Sequence, residues 1–209
     1  MDDRLFSPST ERNRAPIAAV LRRILPATGA VLEIASGTGE HVAWFATEFP
    51  GLAFQPSDPG PRHRASIAAW TAHAANVRAP LALDVTASDW DRHESIPAPL
   101  AAVLCINMVH ISPWAATLGL MRGAGRLLDV SGVLYLYGAY KREGRHTAPS
   151  NAAFDSSLRA QNPEWGVRDL EAVVGEAEAN GFALEEIVGM PANNLSLILR
   201  RGPPAVTAA

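Results

Sequence analysis

Short apolar runs alternate with helix-like segments along most of this 209-residue chain. Strand-like runs occupy residues 31–35, 52–57, 81–85, 100–109, 133–140, 182–189 and 195–201. Helices are predicted over residues 17–25, 42–49, 62–75, 113–128 and 167–180. Repeated alternation of this kind predicts a mainly parallel sheet with helices on both faces and right-handed crossovers.

The predicted fold is therefore α/β, a Rossmann-like, doubly wound sheet of seven strands whose last strand is antiparallel. Residues 1–202 are expected to form a single domain with an N-terminal helix, and residues 203–209 a frayed tail. Pro16 is expected near the start of that helix, where its missing amide is tolerated. The polar stretch 141–166 is predicted to be irregular, and loops of that length are often functional lids.

Composition narrows the class of protein. Hydrophobic residues make up 48% of the chain and charged residues 19%, which is typical of a globular core. The formal net charge of −3 argues against nucleic acid as a partner. Cys105 is the only cysteine, and no apolar run approaches the length of a membrane helix. With an acidic start that does not resemble a secretory signal, we expect a soluble cytoplasmic protein without membrane contact.

The most informative segment is the glycine-containing turn after the first strand, Val31-Leu32-Glu33-Ile34-Ala35-Ser36-Gly37-Thr38-Gly39. Glycines in such a turn let backbone amides approach a ligand closely. A dinucleotide fingerprint starting at Gly37 needs glycine or alanine at position 42, which is Val42 here. A P-loop needs a lysine in the turn, and Lys141 is the only lysine of the chain. Neither alternative fits.

The strand acid followed by this turn resembles the first motif of class I S-adenosylmethionine-dependent methyltransferases. The family usually has glycine where this chain has Ala35. The resemblance implies S-adenosylmethionine as the cofactor. The positions that it assigns to cofactor binding are Glu33, Ala35, Ser36, Gly37 and Gly39.

Two aspartates match further positions of the same family. Asp58 ends the second strand, where family members bind the ribose hydroxyls, and Asp84 ends the third, where an acid commonly sits near the adenine amine. Carboxylates accept hydrogen bonds from both groups. Each aspartate is also a typical turn or helix-cap residue, so a purely local role stays open.

Four further segments resemble a narrower family of small, largely uncharacterised methyltransferase-like proteins found in bacteria and animals. They are Glu11-Arg12-Asn13-Arg14-Ala15-Pro16-Ile17, His110-Ile111-Ser112-Pro113-Trp114, Ser150-Asn151 with Phe154-Asp155, and Met190-Pro191-Ala192-Asn193-Asn194-Leu195. This resemblance spans nearly the whole chain. It implies the fold and the cofactor, but it says little about the substrate.

Candidate catalytic groups follow the fourth and fifth strands. His110 is the best-placed base because its ordinary pKa lies near neutrality, although it could equally only hydrogen-bond a turn. Asn107 could contact cofactor or acceptor, or tie down the loop. Trp114 and Tyr140 could form a pocket wall, or be core residues. Metal ligation is not expected, because the histidines show no i, i+4 pair.

Two polar clusters complete the candidate site. Arg12 and Asn13 stand just before an apolar helix and could reach the cofactor carboxylate or cap the pocket, or lie at a solvated helix start. Lys141, Arg142, Arg145 and His146 follow the fifth strand and could attract an acidic acceptor, although a solvated loop is the simpler interpretation.

The sequence thus predicts methyl transfer from S-adenosylmethionine to a small-molecule oxygen, nitrogen or sulfur nucleophile by in-line displacement. The alternative is a sensor or accessory protein that binds the cofactor without transferring a methyl group. Neither the acceptor nor the oligomeric state follows from the sequence.

Overall fold

The computed structural model describes residues 2–203. The helices are α1 (Pro8–Ile24), α2 (Glu40–Glu48), α3 (Pro61–Thr71), α4 (Trp114–Leu127), α5 (Pro149–Gln161) and α6 (Leu170–Ala179). The strands are β1 (Gly29–Ile34), β2 (Leu52–Pro56), β3 (Leu100–Ile106), β4 (Leu128–Gly138), β5 (Tyr140–Arg142), β6 (Arg145–His146), β7 (Arg168–Asp169), β8 (Phe182–Met190) and β9 (Asn194–Arg201). Residues 204–209, most of the predicted tail, lie outside the described residues.

The main sheet has six strands in the order β2-β1-β3-β4-β9-β8. Strands β1 to β4 pair in parallel, and β9 lies antiparallel between β4 and β8. The doubly wound α/β prediction and the antiparallel last strand are thereby confirmed. A second sheet of three short strands has the order β6-β5-β7.

Residues 81–85 do not form the predicted seventh strand. The chain from Asn76 to Leu81 follows β2 and makes backbone hydrogen bonds with it, but only isolated bridges result. Pro80 interrupts this pairing because proline has no amide hydrogen to donate. The segment nevertheless keeps an edge-strand position, and its end carries Asp84 to the same edge of the sheet.

Two other predictions were wrong for a shared reason. Helix α1 begins at Pro8, so Pro16 lies inside it, and the polar stretch 141–166 contains β5, β6 and the 13-residue helix α5. In both helices the buried face is partly polar: Thr10 and Asn13 are buried in α1, and Asn151 and Asp155 in α5. Hydrophobic periodicity therefore revealed neither the first half of α1 nor α5.

Apolar side chains fill both faces of the main sheet. Helices α4 and α6 pack on one face, and α1, α2 and α3 on the other. The completely buried side chains of β3 and β4 make contacts on both faces, as expected for central strands. Among residues 2–203 no helix is long and apolar enough to cross a membrane.

Candidate active site

A cavity of about 660 Å³ opens at the carboxyl ends of the parallel strands. Its wall includes the turn after β1, the residues following β2 and the segment 83–86. The residues after β3 and the first turn of α1 also line it. Of the predicted cofactor-binding residues, Glu33, Ala35, Ser36, Gly37, Asp58, Asp84 and Asn107 line the cavity. This is the edge where ligands bind in open α/β sheets.

The turn after β1 is built on three residues with left-handed backbone conformations. Ala35, Gly37 and Gly39 have φ angles of 55°, 57° and 89°. Gly39 ends the turn at the start of α2, and a Cβ atom there would lie 2.6 Å from the Cα of Ile67. Gly39 therefore contributes by bringing α2 and α3 together rather than by lining the cavity.

Asp58 connects the end of β2 to this turn. Its Oδ2 accepts a hydrogen bond from the Gly37 amide at 3.0 Å, and its Oδ1 accepts one from the Gly60 amide at 2.8 Å. The His63 ring nitrogen lies 3.1 Å from the same Oδ1. Asp58 is buried and also lines the cavity. Asp58 therefore both holds the start of α3 and lines the candidate ligand site.

Glu33 lines the cavity with a carboxyl group, one oxygen of which has no hydrogen-bond partner within the described residues. Its side chain is only 2% exposed, and Oε2 has no hydrogen-bond partner within the described chain. Burial raises the pKa of this carboxyl to about 7, with Asp58 acting in the same direction and Ser36 against it. A buried acceptor without a partner costs free energy unless a ligand satisfies it.

Asp84 begins a turn at the cavity wall. Its Oδ1 accepts hydrogen bonds from the amide and the hydroxyl of Thr86, at 2.9 and 2.7 Å. The residue is exposed and lines the cavity. Asp84, like Asp58, therefore both stabilises a local turn and lines the cavity.

The N-terminal segment folds over the cavity. The Ser7 amide donates to Glu40 Oε2 at 2.6 Å, and the Leu5 amide donates to Ser66 Oγ at 2.8 Å. Ser7, Ser9 and Thr10 consequently line the cavity, as does His41 at the start of α2. The sequence offers no signal for these four residues. Ser7, Ser9 and Thr10 lie at the start of α1, where hydroxyl residues are common for local reasons, and no spacing rule marks His41.

Arg12 and Asn13 have different environments. Arg12 is exposed. Asn13 is buried, and its Oδ1 lies 2.8 Å from Nε2 of His41. Asn13 therefore reaches the cavity through His41.

Asn107 follows β3 in the left-handed conformation, with φ of 65°, and its amide donates to the Tyr137 carbonyl at 2.8 Å. His110, three residues later, is 2% exposed. Its ring packs edge-on against Phe154, with the centroids 5.3 Å apart, and Nδ1 has no partner within the described chain. Burial, assisted by Arg168, lowers the pKa of His110 to about 4. The residues that line the cavity do not include His110.

Tyr140 lies in the core. It is 1% exposed and packs with the cluster on the α4 and α6 face. Burial raises the pKa of its hydroxyl well above the ordinary value, and the hydroxyl has no hydrogen-bond partner within residues 2–203. The structure does not bring Tyr140 to the cavity wall.

Two of the four basic residues after the fifth predicted strand contact a buried acid, Asp155. Nζ of Lys141 and Nε2 of His146 each lie 3.4 Å from Oδ2 of Asp155. Arg142 and Arg145 pair across the β5–β6 hairpin and are exposed. None of the four belongs to the cavity wall. Among the described residues no group of three or more His, Cys, Asp or Glu side chains is placed to hold a metal ion.

Comparison with known protein families identifies the family to which this chain belongs. The sequence model of a family described as a protein of unknown function, DUF938, matches residues 4–201. The chain belongs to that family. Its segments resembling the narrower group of methyltransferase-like proteins all fall within the match.

The fold is that of class I methyltransferases, as similar solved structures show. An O-methyltransferase family protein from Burkholderia thailandensis superposes with a TM-score of 0.78 at 16% identity, covering 94% of this chain and 58% of that one. The S-adenosylmethionine-dependent methyltransferase SibL in its apo form superposes with a TM-score of 0.74 at 19% identity, covering 93% of this chain and 56% of that one. Human N-acetylserotonin methyltransferase in complex with SAM superposes with a TM-score of 0.74 at 12% identity, covering 93% of this chain and 53% of that one. This DUF938 chain thus spans a little over half the length of those proteins.

The four segments that resemble the narrower group of methyltransferase-like proteins contact one another in the fold. The Asn151 side chain donates to the Asn193 carbonyl at 3.0 Å, and the Asn193 side chain donates to Ser150 Oγ at 3.2 Å. His110 packs on Phe154 of α5, and α1 contacts the turn of Pro191–Asn193. Segments far apart in sequence therefore form one surface beside the cavity.

Proposed function

We propose that this chain binds S-adenosylmethionine in the cavity beside Glu33 and transfers its methyl group to a small molecule. The observation that carries the proposal is the unpartnered Oε2 of Glu33, buried at the cavity wall where the turn after β1 begins. An ammonium group, such as that of the methionine part of the cofactor, would supply the missing donors and the missing positive charge.

The remaining groups of the cavity fit the rest of the cofactor. Asp58 offers carboxylate oxygens to ribose hydroxyls, and Asp84 offers them to the adenine amine. The cavity volume of about 660 Å³ lies within the range of small-molecule sites.

The bound cofactor would supply an activated methyl group on its sulfonium. The chain's contribution is to hold the acceptor in line with that methyl group, and positioning alone can lower such a barrier substantially. The N-terminal segment, fixed by Glu40 and Ser66, limits the access of water to the cavity. An oxygen, nitrogen or sulfur atom of a small molecule is the proposed methyl acceptor. The likeness to an O-methyltransferase family protein and to the methyltransferase SibL supports methyl transfer in general.

One observation favours the alternative of a non-catalytic cofactor-binding protein. His110 and Tyr140, the groups that the sequence offers as proton acceptors, do not line the cavity. A neutral nucleophile such as an unprotonated amine attacks through its own lone pair and needs no base beforehand, so the observation leaves methyl transfer chemically feasible.

The test is incubation of the chain with methyl-labelled S-adenosylmethionine and a small-molecule extract of bacterial cells, with and without Glu33→Gln. The proposal predicts S-adenosylhomocysteine and a labelled small-molecule product in the wild-type reaction, and neither with the variant. Cofactor binding without any labelled product would instead support the sensor alternative.

A further inference from the structure

Two groups of residues in the cavity wall differ in charge. Glu33, Asp58 and Asp84 gather on the side where the proposed function places the cofactor, and no lysine or arginine belongs to the described residues of the wall. The wall residues from α1, the start of α2 and the segment after β3 include no carboxylate, because Glu40, the first residue of α2, lies behind the wall and accepts hydrogen bonds from Ser7 and Thr38. This side is made of Ser9, Thr10, His41 and Asn107 with apolar side chains of Ile106 and Ile111.

His41 is the central polar group of this uncharged side. Its ring stacks on Phe45 with the centroids 5.7 Å apart, and Nε2 lies 2.8 Å from Asn13 Oδ1. Because an amide oxygen only accepts, Nε2 is the donor and Nδ1 carries the free lone pair. Burial, with Arg14 acting in the same direction, lowers the pKa of His41 to about 4, so the ring is neutral at physiological pH.

Four basic residues near this side contact other groups of the chain. Arg14 lies over the Trp44 ring at 4.2 Å, and Arg168 donates to the Ser112 carbonyl at 2.8 Å. Lys141 and His146 contact Asp155. An anionic acceptor would therefore enter a cavity with three carboxylates and without a free cation on its wall, which is electrostatically unfavourable.

We propose that the side formed by Ser9, Thr10, His41 and Asn107 is the acceptor subsite, and that it selects an uncharged acceptor with a hydrogen-bond donor and an apolar body. His41, held by Asn13, is the contact that determines this specificity by accepting the donor's hydrogen bond at Nδ1. The inference rests on the proposed function, because it assigns the carboxylate side to the cofactor.

The test uses two probes of one shape, 4-hydroxybenzyl alcohol and 4-hydroxybenzoate, titrated into the full chain saturated with S-adenosylhomocysteine. The neutral probe is expected to bind about tenfold more tightly than the anionic one, a difference of about 1.4 kcal/mol. His41→Phe keeps the aromatic ring and should abolish this preference while leaving the Kd for S-adenosylhomocysteine within about twofold. His73→Phe, at an exposed position after α3, is the matched control and should behave as wild type.

The outcomes separate the two proposals. If S-adenosylhomocysteine fails to bind, the proposed function is wrong. If it binds but the neutral probe has no advantage, including the case in which neither probe binds, the acceptor inference is overturned and the proposed cofactor site stands. Retention of the preference in a folded His41→Phe chain overturns the role of His41.

Discussion

The carboxylate of Asp58 accepts a hydrogen bond from the backbone amide of Gly37 at 3.0 Å. This contact joins the end of β2 to the turn after β1, which are 21 residues apart along the chain. It fixes the turn in the conformation that leaves Glu33 and Ala35 facing the cavity. The same carboxylate also holds the start of α3 through the Gly60 amide.

Replacing Asp58 by asparagine should therefore damage both the turn and ligand binding. The neutral amide has only one accepting oxygen, so one of the amides of Gly37 and Gly60 loses a charge-assisted hydrogen bond. We expect a loss of about 1–3 kcal/mol in stability and a Kd for S-adenosylhomocysteine at least about tenfold higher. Urea unfolding and calorimetry measure the two effects.

Asp129→Asn is the matched control for that experiment, because Asp129 is exposed on β4. It should leave both quantities unchanged. Unaltered binding in a folded Asp58→Asn chain would contradict the assignment of Asp58 to the cofactor.

Glu33 makes stability depend on pH. Its ordinary pKa of 4.5 rises to about 7 in the folded chain because the carboxyl is buried. The protonated form is favoured on folding, so this contribution to stability is complete below about pH 4.5 and is lost as the pH rises through about 7. The loss should amount to about 3 kcal/mol. Urea unfolding of wild type and Glu33→Gln across this range should show the difference, whereas Glu94→Gln, at an exposed site, should follow wild type.

The affinity for the cofactor, in contrast to the stability of the chain, should increase as the pH rises. An ammonium group pairs with the ionised carboxylate, so the Kd for S-adenosylmethionine should fall as the pH rises from about 5 to about 7. The Glu33→Gln chain should bind weakly and without that dependence. A wild-type Kd that is constant over this range would argue against contact between Glu33 and the cofactor.

Gly39 is predicted to be required for packing of α2 on α3. An added Cβ would lie 2.6 Å from the Ile67 Cα, and the φ of 89° already disfavours any other residue. Gly39→Ala should cost about 2–4 kcal/mol of stability. Gly175 offers the control: a Cβ there, inside α6, meets nothing within 4 Å. Gly175→Ala should raise stability by about 0.5–1 kcal/mol in the same urea titration.

The elements that sequence analysis predicted well are those whose signal is local. The glycines of the turn after β1 are visible in the sequence itself. Asp58 and Asp84 each follow an apolar run, and the topology of a parallel sheet brings the ends of such runs to one edge. Ala35 departs from the usual glycine yet adopts a φ of 55°, so the backbone keeps the conformation that the motif requires.

The parts that could not be predicted depend on polar side chains buried by tertiary contacts. Asn13 meets His41, and Asp155 meets Lys141 and His146, only after distant elements have packed. No spacing rule links such pairs in the sequence. Placement of His110 beside Phe154, away from the cavity, likewise depends on α5, a helix that hydrophobic periodicity does not reveal.

Calorimetric titration of the full chain with S-adenosylmethionine and S-adenosylhomocysteine measures whether the cavity holds the cofactor. We expect one site for each ligand, with a Kd below about 0.1 mM near neutral pH, and a loss of binding in Glu33→Gln. Absence of heat for both ligands at about 1 mM, from a chain that unfolds cooperatively, would show that the proposed cofactor site is wrong.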